Sequence, residues 1–256
     1  MSASNPNQKT TVLLTGAAGR IGTAFREYEG ARYQLRLADR DISTLGDSGD
    51  EVVALDVADL DACQAACAGM QVVIHLAADP NPRADFYASL LDNNIKGVYN
   101  IFRAAKDQGC RRVIFASSIR VLEGHPDGPP LVPDAPVRPI DMYGASKCFG
   151  EAVAHYFAYT EGLSSIAVRI GAFEGNWLNR DTATPEGALI RFTSRRDMAQ
   201  LLARCVDAPD ISFAVVHAAS DNRRKRLDIS QTRELLGFAP QDDGFELYGP
   251  PHSSEA

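Results

Sequence analysis

A short apolar run that breaks straight into spaced glycines constrains this chain more than any other feature. Thr11-Val12-Leu13-Leu14-Thr15 reads as a buried strand, and Gly16-Ala17-Ala18-Gly19-Arg20-Ile21-Gly22 follows without a gap. A helix is predicted to open near Gly19 and run through Phe25 to Tyr28. In such a unit the first glycine permits the tight turn. The second lets backbone amides approach an anion, and the third lets the helix pack close to the sheet. An anion at that helix N-terminus meets free N–H groups and the positive end of the helix dipole. The turn therefore predicts a parallel sheet, with a dinucleotide pyrophosphate held against Gly16, Gly19, Arg20, Ile21 and Gly22.

The rest of the chain alternates in the manner such a sheet requires. Strand patterns fall at 33–38 (ending at Asp39), 52–55, 71–76, 112–116, 164–170 and 213–218. Helical patterns fall at 60–68, 84–108 and 196–206, with one more after Leu227. Gly109 closes the long stretch, Asp228-Ile229-Ser230-Gln231 fits a capping box, and Gly237 fits a stop. The expected fold class is α/β, a Rossmann-type doubly wound parallel sheet with a small C-terminal substrate-binding cap. Residues 11–249 form one domain, the cap lies mainly in 172–249, and 1–10 and 250–256 read as polar tails. The segment 125–139 holds six prolines, which predicts a rigid irregular loop and one wall of a cleft.

Composition narrows the function classes. With 256 residues, 45% of them hydrophobic, the chain can bury a core without disulfide staples. A net charge of −7 argues against nucleic acid or an anionic membrane as the main partner, though not against a small anion. No apolar run approaches a membrane span, and 1–10 lack the apolar core of a signal peptide. The five cysteines include no CxxC, and Cys63 and Cys67 have no nearby His or Cys to complete a metal set. A cytoplasmic protein with reduced thiols and no metal site is expected. His75 reads as a satisfied core residue, and Arg223-Arg224-Lys225-Arg226 as a solvated run.

Two further constellations carry chemistry. Asp39 ends the second predicted strand, 17 residues beyond Gly22. A carboxylate there binds the ribose diol and repels a 2′-phosphate, which favours NAD; Arg40 beside it pulls toward NADP. Asp56-Val57, after the third strand, is placed to meet the adenine edge. Tyr143 and Lys147 then sit four apart at the head of a predicted helix, one turn apart on one face. A lone phenol is protonated at neutral pH and is a poor base, and a fixed positive charge beside it favours phenolate. Such a couple suits removal of a proton from an alcohol while a hydride leaves.

Taken together, the chain resembles the short-chain dehydrogenase/reductase superfamily in its extended, epimerase/dehydratase-like branch. The resemblance rests on Thr15-Gly16-x-x-Gly19-x-x-Gly22, Asp39, Asp56-Val57, His75-Leu76-Ala77-Ala78 and Asn94-Ile95-Lys96-Gly97. It continues through Phe115-Ala116-Ser117-Ser118, Tyr143-x-x-x-Lys147 and Val168-Arg169-Ile170-Gly171. Within that branch it looks most like the uronate dehydrogenases, on Tyr143 to Glu151, the Arg36-Leu37-Ala38-Asp39 strand end and the short C-terminal part. The resemblance implies NAD-dependent oxidation of a sugar at its anomeric carbon to the aldonolactone, the sugar being a uronic acid, another acidic sugar or an aldose. It makes Tyr143 the general base. Lys147 would lower the tyrosine's pKa and hold the nicotinamide ribose, and Ser118 would hydrogen-bond the reacting oxygen. Asn94 would steady the helix carrying the proton path, while Leu76, Ala77, Ala78 and Ile170 would line the cofactor cleft. A homodimer is implied, packed through the long helix and the Tyr143 helix.

Departures from the pattern fall on the substrate side. Ile119-Arg120 stands where uronate dehydrogenases carry Asn-His, and Asp79-Pro80-Asn81-Pro82-Arg83 replaces a serine-bearing turn. Arg180 falls where those enzymes place an arginine for the substrate carboxylate, a task suited to its planar fork. Arg83 and Arg120 are candidates for the same task, and Asn81, Asn176 and Trp177 for sugar hydroxyls and the ring face. Two alternatives remain open from the sequence. One is a nucleotide-sugar epimerase or dehydratase, disfavoured by the roughly 85 residues left after 170 for a substrate domain. The other is a non-catalytic NAD-binding regulator, which has no need of Ser118, Tyr143 and Lys147 together.

Overall fold

The computed structural model describes residues 9–46, 49–175, 178 and 184–249. Strand β1 (Thr11–Thr15) is apolar on both faces, as a central parallel strand must be. Val12 and Leu14 enter one core layer and Leu13 the other, all fully buried. On its two sides lie β2 (Gln34–Asp39) and β4 (Val72–His75), both parallel, with Thr15 paired to Ala38 and to His75. Outside them come β3 (Glu51–Ala54), β5 (Arg112–Ser118) and β6 (Ser164–Ile170). A separate short pair, β7 (Ala172–Phe173) and β8 (Phe192–Thr193), precedes the last strand, β9 (Phe213–Ala218). The main sheet runs β3-β2-β1-β4-β5-β6-β9, all parallel. Its order reverses between β1 and β4, and the crevice at the C-terminal strand ends of such a switch point is where α/β sheets bind ligands.

Helices cover both faces. Helix α1 (Arg20–Tyr28) packs on one face, while α2 (Leu60–Cys67), α3 (Gly97–Asp107) and α4 (Met142–Thr160) pack on the other. The second face is held by an aromatic cluster, with Phe102 centred 5.5 Å from Phe157 and 6.4 Å from Phe115. Each buried ring of this kind contributes about 1.5–3 kcal/mol. After the short α5 (Glu186–Leu189), helix α6 (Arg195–Asp207) returns to the α1 face through Met198, Leu201 and Leu202. Within 172–249, then, α6 and β9 complete the main layers. Outside the sheet lie β7, β8, α5, α7 (Ser230–Leu236) and α8 (Gly244–Tyr248).

Five expectations from sequence meet a different structure. The stretch 84–108 is not one α-helix: Phe86–Lys96 is π-helical, with Leu90 N–H bonded to Asp85 O at 3.1 Å, and α3 begins only at Gly97. Gly109 still follows its end at φ +76°. The capping box before α7 is absent. Asp228 Oδ1 instead accepts from Ser230 N–H at 2.7 Å, two residues on, while Gly237 does stop the helix at φ +62°. The proline segment 125–139 contributes no described residue to the cleft. Its carbonyls are spent on buried guanidiniums: Pro133 O accepts from Arg169, and His125 O and Pro126 O accept from Arg226. The basic run is accordingly not all solvated, since Arg226 is 5% exposed. His75 is buried but only half satisfied: Nδ1 meets Thr15 Oγ1 at 2.8 Å, and Nε2 has no partner among the described residues.

All five cysteines are free thiols. Among the described residues no His/Cys/Asp/Glu group could hold a metal ion, and no helix is long and apolar enough to cross a membrane.

Candidate active site

At the C-terminal strand ends the sheet opens on a cavity of about 890 Å³. One part is built by the glycine turn. Gly16 turns at φ +70°, and a Cβ on it would stand 2.8 Å from Ala77 N; one on Gly22 would stand 2.5 Å from Gly16 O. Neither position tolerates a side chain, so α1 can begin directly against the strand ends. Helices α2, α4 and α6 are capped by the side chains of Asp59, Asp141 and Ser194. Helix α1 has Gly19 at its N-cap, no side-chain cap and no acidic residue in its first turn. Among the described residues no side chain caps the first N–H groups of α1, a fit for a pyrophosphate.

Other predicted cofactor residues converge on the same space. Gly16, Gly19, Arg20, Ile21 and Gly22 line it, as do Asp39, Arg40, Asp56, Val57, Leu76, Ala77, Ala78 and Ile170. Asp39 is fixed from both sides: Oδ2 accepts from Ala18 N–H at 2.9 Å and Oδ1 from Arg40 N–H at 2.7 Å. A carboxylate held so rigidly at the end of β2 suits a ribose diol. Asn94 is different. It is 1% exposed and lies behind the wall, where it bonds the backbone of Asp79 and the hydroxyl of Ser146.

The residues expected to act on the substrate meet where β5 ends and α4 begins. Strand alternation sends Ser117 Oγ to Glu151, at 2.6 Å, and leaves Ser118 on the cavity. Asp141 caps α4 through Gly144 N–H at 2.7 Å, which sets Tyr143 in the first turn and Lys147 one turn later. The Lys147 ammonium is buried over two rings, 5.1 Å from the centre of Phe115 and 5.5 Å from that of Tyr143. Burial pushes its pKa down to about 8. His75 shares this region and stays neutral, pushed down to about 3 by burial and by the Lys147 charge.

Tyr143 departs from the sequence expectation. Its pKa is raised, chiefly by burial, and the strongest opposing influences are a hydrogen bond from Ser118 and the charge of Arg120. Lys147 lies close but over the ring face. Nothing in the sequence pointed to the Arg120 charge beside Tyr143, because Arg120 reaches the site from the turn after β5. There its guanidinium pairs with Asp141 at 3.1 Å.

Of the residues expected to meet the substrate, Arg120 lines the cavity, whereas Asn81 and Arg83 are exposed and absent from its lining. Asn81 Oδ1 accepts from Arg83 N–H at 3.0 Å, a local turn contact. Asn176, Trp177 and Arg180 lie outside the described residues. Sequence reasoning missed Asp79, Ser89 and Asn93, all of which line the cavity. Ser89 and Asn93 stand four apart, a same-face spacing in an ordinary helix, but two polar residues at that spacing signal no site until the fold turns them to the cavity.

Residues 12–231 match the NAD dependent epimerase/dehydratase family. The NAD-dependent glucose-6-phosphate dehydrogenase of Haloferax volcanii is 36% identical, over 92% of this chain and 95% of that protein. The L-arabinose 1-dehydrogenase (NAD(P)(+)) of the same organism is 32% identical, over 91% of this chain and 96% of that one. A mutant of the Agrobacterium tumefaciens uronate dehydrogenase, solved in complex with NAD, superposes with a TM-score of 0.82 at 33% identity. It covers 96% of this chain and 92% of that chain. With this fold, this glycine turn and a match along most of its length, the chain belongs to the NAD-dependent epimerase/dehydratase family, the extended branch of the short-chain dehydrogenases/reductases.

Proposed function

We propose that the chain is an NAD-dependent sugar dehydrogenase that oxidises the anomeric carbon of a sugar or sugar acid to the aldonolactone. One observation carries the reading: Ser118, Tyr143 and Lys147 share a single cavity with the glycine turn and Asp39. In this reaction Tyr143 takes the proton of the anomeric hydroxyl, and the Ser118 hydroxyl hydrogen-bonds the same oxygen. Lys147 adds a buried cation beside the phenol and would hold the nicotinamide ribose. NAD⁺, when bound, supplies the acceptor for the hydride that leaves the carbon. The carboxylate of Asp39, pinned by two backbone N–H groups, supports NAD over NADP, because a 2′-phosphate would be repelled there. The names of the relatives support the reaction class and differ in the sugar.

The test is a panel of aldoses, uronates and sugar phosphates with NAD⁺ and NADP⁺ in parallel, followed by reduced-cofactor absorbance. Net NADH is expected with at least one sugar. Tyr143→Phe should lower kcat by roughly 10²–10⁴-fold while NADH binding is kept. Full activity in that variant, or turnover of a sugar nucleotide without net NADH, would overturn the assignment.

A further inference from the structure

One wall of the cavity carries a carboxylate that neither dinucleotide binding nor proton transfer uses. Asp79 follows β4 and lines the cavity beside Pro80 and Pro82, and the π-helical stretch brings Ser89 and Asn93 to the same space. Its placement is built rather than incidental. The buried Asn94 accepts from Asp79 N–H at 2.8 Å and donates to Asp79 O at 3.1 Å and to Ser146 Oγ at 3.1 Å. Ser146 in turn donates to Tyr143 O at 2.7 Å, so the Asp79 backbone is tied to the helix that carries the phenol. The Asp79 carboxylate accepts from Ser89 Oγ at 2.5 Å and from Asn81 N–H at 2.9 Å. A carboxylate can accept about four hydrogen bonds, so capacity remains for a ligand in the cavity.

We propose, resting on the sugar dehydrogenase reading, that Asp79 is the substrate-orienting residue. It accepts hydrogen bonds from ring hydroxyls of the sugar, with Ser89 and Asn93 beside it, and it turns away sugars that present a carboxylate to this wall. Hydrogen bonds from hydroxyls to an ionised carboxylate are among the stronger neutral–charged pairs. A second carboxylate brought against Asp79 meets like charge inside a partly enclosed space. Sites built to bond a hydroxyl also reject analogues that lack it, because the protein group is then left unpaired.

The experiment uses the full chain with NAD⁺ and three kinds of probe: a neutral aldose, its monodeoxy analogues and the matching uronate. Wild type should lose on the order of ten- to a hundredfold in kcat/KM on at least one deoxy analogue. Asp79→Asn should lose less on that analogue, roughly two- to tenfold, since one neutral hydrogen bond is then at stake. The same variant should raise the uronate-to-aldose ratio of kcat/KM by roughly tenfold, as the like charge is removed. The Asp79 charge also holds the Tyr143 pKa up, so absolute rates shift for every sugar together while these ratios do not. Equal deoxy penalties and an unchanged uronate ratio in the two proteins would overturn the proposal. Should Asp79→Asn not fold, judged by NADH binding, the wild-type arm decides: a uronate used as well as its aldose refutes it. That result leaves the dehydrogenase reading standing. NADH binding with no turnover of any sugar would sink the reading and the inference together.

Discussion

Arg120 is one of the charged residues that bear on the Tyr143 phenol, after burial and the Ser118 hydrogen bond. Burial raises the Tyr143 pKa, while Arg120 pulls it down and Asp141, the partner of Arg120, pushes it up. Removing the cation therefore acts twice in one direction, since its charge disappears and that of Asp141 is left unopposed. Under the proposed oxidation the phenolate is the active form, so a higher pKa moves the rising limb of activity to higher pH. Arg120→Met is expected to shift that limb alkaline by roughly half to one pH unit, a modest size because the guanidinium is partly exposed. Asp141→Asn should shift it the opposite way. The profile of kcat/KM against pH, with NADH binding as the fold control, decides; a limb that stays put in both variants removes Arg120 from the tuning role. At this scale the sequence was legible where spacing sets placement: Gly16, Gly19 and Gly22 build the turn, and Tyr143 and Lys147 line one cavity. It was opaque where a shift depends on burial and on a neighbour from another element.

Four elements are joined by one buried ion pair. Arg169 on β6 meets Glu151 on α4 through Nε and Nη2, both at 2.8 Å, with side chains only 4% and 9% exposed. Ser117 on β5 donates to the same carboxylate, and Pro133 O in the proline segment accepts from Arg169 Nη1. Breaking such a pair from one side leaves a buried charge uncompensated, and Arg169→Met is expected to cost about 3–5 kcal/mol of unfolding free energy. The double variant Arg169→Met/Glu151→Leu should recover most of that loss in urea titrations; no recovery would mean the arginine acts through packing alone. These contacts also explain what was readable among the elements. Strands β1, β6 and β9 keep their expected bounds, because each carries a mostly apolar run between turn residues, even with Arg169 in β6 and His217 in β9. The proline segment was correctly irregular but wrongly assigned to the cleft, since only the fold reveals that its carbonyls face Arg169 and Arg226. The wide turns of 86–96 leave no trace in a 3.6-residue pattern.

At the scale of the whole molecule, the glycine turn made the sheet legible. It marks β1 as central, and the right-handed crossover rule then limits the order of the strands that follow. What the sequence could not show is the number of titratable groups the sheet encloses. His75 on β4 is held down to about 3, and His217 on β9 to about 4, each chiefly by burial. Both sit well below the ordinary 6.5 of histidine. Above that ordinary value neither state holds the proton and their contribution is complete. As pH falls through the interval, the unfolded chain gains protons that the folded one refuses, so stability is lost toward the folded values. From pH 6.5 down to about 4.5, each histidine should remove about 2–3 kcal/mol. Carboxylates with lowered pKa, among them Asp107 and Asp228, act below that range and cannot account for such a slope. Unfolding free energies measured in urea at several pH values should therefore fall steadily between 6.5 and 4.5. In His75→Gln, where an amide can still meet Thr15, the fall should be roughly halved, because one of the two titrating groups is gone. A wild-type curve that stays flat to pH 4.5, or an identical slope in the variant, would show that these histidines take up their protons without opening the sheet.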